Sequence, residues 1–310
     1  VKLDKNIFLK REKNKKMKKG IGKAHSKIIL LGEHSVVYGY PAIAVPLRNI
    51  EIECEILESK TNFCYNENDT LSVAIFTALK YLKKEKEKIK YSIKSEIPPK
   101  RGMGSSAAVS IAAIRAVFDY FGQKIETDLL EKLVNVAEIT AHQNPSGLDA
   151  KTCLSEKPIK FIKNKGFSYI DINLGAYLVI ADSGIYGNTK EAVEKVRKLG
   201  KIAKEPLKKL GELTEKFESL IKNKFSGEKI KKIGQIMISA NDELKKIGVT
   251  ISKTEMFVKK AIENGASGAK ISGGGLGGCI IALCKSQKIA KNVKKMLIEN
   301  GAVNIWIEKI

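Results

Sequence analysis

The stretch Pro98-Pro99-Lys100-Arg101-Gly102-Met103-Gly104-Ser105-Ser106-Ala107-Ala108 constrains this chain more than any other. Two prolines stop whatever strand precedes them, and two spaced glycines and two serines then lead straight into an apolar run. Glycines let backbone approach an anion, a helix N-terminus offers unpaired N–H groups and a positive dipole end, and Ser105 or Ser106 adds a hydroxyl. The segment therefore reads as a polyphosphate cradle opening a helix over residues 107–121. A glycine turn with a serine N-cap is the plainer alternative, but it needs only one serine and one glycine. No G-x-x-x-x-G-K-[ST] occurs in the chain, so the cradle is not a Walker loop.

Elements of both kinds surround this helix. Residues 27–31 and 50–57 read as strands, the second from the alternation of Ile52, Cys54 and Ile56. A helix is predicted over 71–82, a strand over 89–97, and a second helix over 127–142 that Asn144-Pro145 terminates. Residues 159–172 resemble a hairpin about Asn164-Lys165-Gly166. A buried strand over 176–181 follows, then four amphipathic helices between 189 and 263. Strands at 269–272, 279–283 and 303–308 close the chain, with one helix in the last gap. This mixture lacks a regular βαβ repeat, so the class is α+β, divided near 174–182 into domains 20–175 and 176–310. With 310 residues, 43% of them hydrophobic, the chain is long enough for one large or two medium domains.

Two further clusters carry chemistry. Ser272-Gly273-Gly274-Gly275-Leu276-Gly277-Gly278 matches G-x-G-x-x-G formally, yet it leads into a strand where a dinucleotide site needs a helix. Five glycines in six positions imply backbone packed against a ligand or another loop. Glu138 shares a helix line with Leu130 and Val134, which leaves it either partly buried and in want of a cation or at an exposed edge. Asp149 follows the Pro145-Ser146-Gly147 turn and is either held rigidly by it or an ordinary turn residue or helix N-cap. Near the start, Ala24-His25-Ser26-Lys27-Ile28-Ile29-Leu30-Leu31-Gly32-Glu33-His34 sets a lysine at the head of an apolar strand and Gly-Glu-His after it.

Charge and cysteine content narrow the function classes. The net charge is +22, from 56 Lys and Arg against 34 Asp and Glu, but lysine alternates with glutamate at helical spacing and no aromatic residues interleave it. That pattern belongs to solvated helix faces, and no nucleic-acid role is expected. Five scattered cysteines without a C-x-x-C pair argue against disulfides or zinc and for a reducing cytoplasm. No apolar run reaches the roughly 20 residues that span a bilayer, so no membrane association is expected. Residues 1–19 hold nine Lys or Arg and two acids, and are expected to be a disordered basic tail, with Met17 a candidate natural start.

Taken in order, these motifs resemble the GHMP kinases, named for galactokinase, homoserine kinase, mevalonate kinase and phosphomevalonate kinase. The resemblance runs from about residue 20 to the C-terminus and looks closest to the bacterial mevalonate kinases, since Ser26-Lys27-Ile28 stands where sugar kinases have Arg-Val-Asn. It implies a ribosomal-protein-like N-terminal domain, a ferredoxin-like C-terminal domain and a cleft site between them. It makes Gly102, Met103, Gly104, Ser105, Ser106 and Ala107 the ATP-binding loop, Ser106 and Glu138 the Mg²⁺ ligands, and Asp149 and Lys27 the reacting pair. Glu33, His34, Ser146 and Thr189 would face mevalonate, and Gly273, Gly274, Gly275, Gly277 and Gly278 would steady the phosphate loop. Mevalonate and ATP are the implied partners, with a homodimer an assembly to test. Two departures stand out: His25-Ser26 replaces a common Pro-Gly, and Gly273-Gly274-Gly275 replaces a common Gly-Ala-Gly. Phosphomevalonate kinase is the nearest alternative, and a basic nucleic-acid-binding protein or an NAD-dependent oxidoreductase would leave Glu138 and Asp149 unexplained.

Overall fold

A computed structural model describes residues 18–141, 147–222 and 227–310. The first half of the chain builds a five-stranded antiparallel sheet. Its strands are β1 (Lys19–Leu31), β2 (Pro41–Glu58), β3 (Ile89–Ser95), β4 (Ile159–Ile162) and β5 (Gly166–Tyr169), ordered β1-β2-β4-β5 with β3 also paired to β2. Helices α1 (Thr70–Tyr81), α2 (Ser105–Tyr120), α3 (Thr127–Ala141) and α4 (Leu148–Leu154) accompany it.

Strand β1 starts eight residues before the predicted strand at 27–31, and Lys19, expected in the disordered tail, opens it and pairs with Glu55. Small residues caused the miss. Gly20, Gly22 and Ala24 alternate inward with period two, but none of them registers as apolar patterning. Glycine is required there because a Cβ at Gly20 or Gly22 would run into the α2 carbonyls of Ala116 and Ala112. Alanines 107, 108, 112, 113 and 116 keep α2 equally slim. Lys18 lies over the Tyr120 ring, and residues 1–17 of the expected tail fall outside the described residues.

The second half forms a four-stranded antiparallel sheet of β6 (Tyr177–Asp182), β7 (Gly268–Ser272), β8 (Cys279–Cys284) and β9 (Ile305–Lys309), in the order β7-β8-β6-β9. Helices α5 (Thr189–Leu199), α6 (Lys201–Ile221), α7 (Gly227–Lys246) and α8 (Ser252–Glu263) fill the first crossover, and α9 (Gln287–Glu299) the last. With strands counted within this half, the order is 2-3-1-4, the split β-α-β arrangement expected of a ferredoxin-like domain. The four predicted helices are all present. Helix α7 meets the start of β7 backbone to backbone: a Cβ on Gly268 would run into Gly234, and one on Gly234 into the Ser267 carbonyl.

The halves share one buried core that runs from Ala24 and Ile28 to Val293 and Leu297. At the seam, the amides of Leu174 and Ala176 both donate to the carbonyl of Ile310, at 3.2 and 3.1 Å. Among the described residues no helix is long and apolar enough to cross a membrane.

Candidate active site

Local geometry at the α2 N-terminus follows the cradle pattern, with one difference. The residue at the N-cap is Gly104, in left-handed conformation at φ 73°, and Ser105 and Ser106 lie inside the first turn. Neither serine caps the helix, so the plainer reading of the motif fails. No side-chain hydrogen bond caps the α2 end, which leaves its first backbone donors and its dipole to a ligand. Gly102 is also left-handed, at φ 78°. Met103 and Ala107 bury their side chains in the core, which leaves only their backbone for a ligand.

Ser106 Oγ donates to Glu138 Oε1 at 2.5 Å. Glu138 is 2% exposed, which settles the choice left open for it in favour of burial. Among the described residues no group of three or more His, Cys, Asp or Glu gathers around a point. One hydroxyl and one carboxylate form a hard-oxygen pair, the donor set with which Mg²⁺ is held when phosphates and waters complete its shell.

Lys27 and Asp149 meet although 122 positions separate them in sequence. Lys27 Nζ lies 2.7 Å from Asp149 Oδ1, and it donates to the Gly102 carbonyl at 3.1 Å. A register shift between His25 and Ser26 turns β1 from alternating to continuous burial, which brings Ser26 and Lys27 both inward. There the Lys27 amide and Ser26 Oγ both donate to the Met103 carbonyl, at 3.1 and 2.8 Å. Gly104 lies over the lysine stem, and a Cβ there would stand 2.9 Å from Lys27 Cγ and Cε. Asp149 is in the first turn of α4 behind the left-handed Gly147, so it is held by a helix and not by a loop alone. The lysine is 1% exposed and the aspartate 34%, so the pair is reachable from its carboxylate side only.

His34, at φ 59°, sends Nε2 to the Gly274 carbonyl at 2.9 Å. A carbonyl accepts only, so Nε2 carries the ring proton. Burial, reinforced by the nearby charge of Lys270, pushes the His34 pKa down to about 4, against the lift from the Gly274 bond, and the ring is neutral. Thr189 opens α5 and touches the same glycine, since a Cβ on Gly274 would fall 2.7 Å from Thr189 Oγ1. His34, Gly274 and Thr189 thus converge from three segments. Ser146 falls outside the described residues. Glu33 does not face the cleft as the resemblance implied: it is fully buried and turned onto Lys270.

The late glycines meet the loop of Arg101 and Gly102 backbone to backbone. A Cβ on Gly273 would lie 2.8 Å from Gly102 Cα, one on Gly278 2.8 Å from the Arg101 carbonyl, and one on Gly277 2.7 Å from that of Tyr186. Gly275, at φ 77°, sits against the Val249 carbonyl. Two charged contacts that the motifs did not disclose reinforce this junction. Arg101 reaches Asp182 at 2.7 Å beneath the Tyr186 ring, and Lys270 reaches Glu33. In a chain with 56 Lys and Arg, no sequence signal separates these two from surface residues.

An uncapped helix end, a hard-oxygen pair and a buried lysine touching a reachable carboxylate are a donor set suited to a polyphosphate and a hydroxyl acceptor. The GHMP kinases N terminal domain matches residues 73–157, and the GHMP kinases C terminal domain matches residues 217–303. The chain belongs to the GHMP kinase family. It is 33% identical over 309 residues to the mevalonate kinase of Thermococcus sibiricus, covering 88% of this chain and 92% of that one. A solved Methanococcus jannaschii mevalonate kinase superposes with a TM-score of 0.79 at 27% identity, over 94% of this chain and 98% of that one. A structure of L. major mevalonate kinase in complex with R-mevalonate gives 0.80 at 25% identity, over 93% and 94%.

Proposed function

We propose that this chain is a mevalonate kinase, transferring the γ-phosphoryl group of ATP to the primary hydroxyl of mevalonate and so serving isoprenoid biosynthesis. The observation that carries the reading is Lys27 Nζ standing 2.7 Å from Asp149 Oδ1 and 3.1 Å from the phosphate-loop carbonyl of Gly102. An acid–base pair is thereby set beside the place where α2 would receive a polyphosphate.

Phosphoryl transfer spreads charge over phosphate oxygens in a loose transition state, so the protein contributes positioning and cations more than bonds. The backbone of Gly102, Gly104, Ser105 and Ser106 holds the phosphates at the α2 N-terminus. Ser106 and Glu138 would hold Mg²⁺, whose chemistry when bound is to offset phosphate charge. Asp149 accepts the proton of the substrate hydroxyl, or keeps that hydroxyl in line, and Lys27 stabilises the developing alkoxide. His34 and Thr189, with Ser146, orient mevalonate, and the late glycines brace the phosphate loop. The partners are then two small molecules, with no nucleic acid or membrane, in a reducing cytoplasm, and a homodimer is the assembly to test.

The test is purified protein with ATP and Mg²⁺ offered mevalonate, phosphomevalonate, homoserine and galactose. Turnover of mevalonate above the others supports the reading, and preferential turnover of phosphomevalonate would replace it with the neighbouring kinase of the same family.

A further inference from the structure

Lys270 lies on β7, and its ammonium and the Glu33 carboxylate are both 0% exposed. The ammonium donates to Glu33 Oε1 and, at 2.6 Å, to the Ile271 carbonyl. The two residues are 237 positions apart and belong to opposite halves of the molecule. Burial pushes the Glu33 carboxyl up and the Lys270 ammonium down; Glu33 is what opposes this at Lys270, and Lys270 is the main opposition at Glu33, with Lys27 adding to it.

Such a pair is a poor stabiliser. Removing two charges from water costs about what their attraction returns, and apolar residues of similar volume often do as well. Here it is also incomplete, because Glu33 Oε2 has no hydrogen bond among the described residues. What the pair does own is a position. Glu33 sits between Gly32 at φ 96°, where a Cβ would strike Pro41 and Ala42, and His34 at φ 59°. A left-handed non-glycine residue costs about 1–2 kcal/mol, and the turn's own bonds, from the Val36 amide and Ser35 Oγ to the Gly32 carbonyl at 3.1 and 3.2 Å, fasten its backbone but not the Glu33 side chain. Beyond the turn, the His34 ring reaches the Gly274 carbonyl, and Gly274 abuts Thr189.

We infer that Lys270 is a positioning residue, which through Glu33 holds the turn at 32–34 against the late glycine loop and so sets the mevalonate side of the cleft. The inference rests on the kinase reading above for the identity of the substrate, though not for the placement of the turn.

The double variant Glu33→Gln/Lys270→Met removes both charges and keeps their shape. It should fold with a thermal midpoint within several degrees of wild type. It should lose the His34 Nε2–H signal in imidazole NMR, and its KM for mevalonate should rise about tenfold or more while that for ATP stays within about twofold. A folded double variant with His34 unmoved overturns the inference. If KM for mevalonate rises in that case, Glu33 merely touches substrate; if nothing changes, the pair is structural. Equal rises in both KM values overturn it too. Should the double variant not fold, wild type decides: His34 must show the Nε2–H tautomer with a slowly exchanging ring proton, and exchange at the free-imidazole rate sinks the idea. Wild-type protein inert toward mevalonate but active on another acceptor would refute the substrate, while the NMR result would still decide the role of Lys270.

Discussion

Lys27–Asp149 and Lys270–Glu33 join the same two functional groups in direct contact, yet water reaches one pair and not the other. Asp149 is 34% exposed, and both side chains of the second pair are at 0%. A carboxylate that opens to a cleft can exchange its partner for a substrate hydroxyl and take up a proton. A sealed one can do neither without stranding a charge. The same chemistry therefore serves reaction in one place and placement in the other, and burial makes the difference.

The largest effect expected of a single change is on the sealed side. Lys270→Met leaves Glu33 buried without its cation and should lower the free energy of unfolding by about 3–5 kcal/mol in urea titration. A loss below about 1 kcal/mol would mean that water already reaches the pair, and the contrast would collapse. On the open side stability and activity should part. Asp149→Asn removes a partly solvated partner and leaves the buried Lys27 its bond to the Gly102 carbonyl, so it should cost about 1–3 kcal/mol, less than Lys270→Met. It should nevertheless lower kcat by about 100-fold or more with nucleotide binding near normal. Lys27→Met should act alike, and the two together should cost less than the sum because both serve one proton. Near wild-type turnover by Asp149→Asn would remove it from the reaction.

A smaller effect reads the sealed side through pH. His34 takes a proton at 6.5 in its ordinary state and at about 4 in the fold, so the unfolded chain binds protons first as pH falls. Stability present above 6.5 should then decline by about 1.4 kcal/mol per pH unit on the way down. Glu33, its carboxyl raised by burial, works in the opposite sense above the ordinary glutamate range, so the comparison has to be with His34→Gln. That variant should lack the decline, and identical slopes in the two proteins would show His34 to be solvated. The smallest effect concerns the metal pair: Glu138→Gln should weaken apparent Mg²⁺-ATP use by about tenfold, with partial rescue by Mn²⁺ or excess Mg²⁺. Equal rescue of Asp149→Asn would mean that the two acids share one role.

The elements were legible where their signals were local. Proline punctuation ended the strand before the phosphate loop, periodicity separated the four helices between 189 and 263, and the glycine clusters announced close backbone approach, which Gly102, Gly273 and Gly278 display. Legibility failed where small residues replaced apolar ones, as at Gly20 and Gly22, whose inward alternation extends β1 to Lys19. It failed again at α4, where Asp149 read as a turn residue or an N-cap and instead lies inside the first turn of a seven-residue helix capped by Gly147.

The sequence by itself determined which groups could do chemistry: a glycine-serine loop ahead of an apolar helix, a lysine at a strand head, and two acids on separate segments. Backbone conformation and helix register are set within a few residues, so these survive reading along the chain. Only the tertiary structure decided which charges meet. Lys27 finds Asp149, Arg101 finds Asp182 and Lys270 finds Glu33 across separations that carry no periodic signal. In a chain so rich in lysine, a buried ammonium looks like any other until the fold removes its water and leaves one carboxylate within reach.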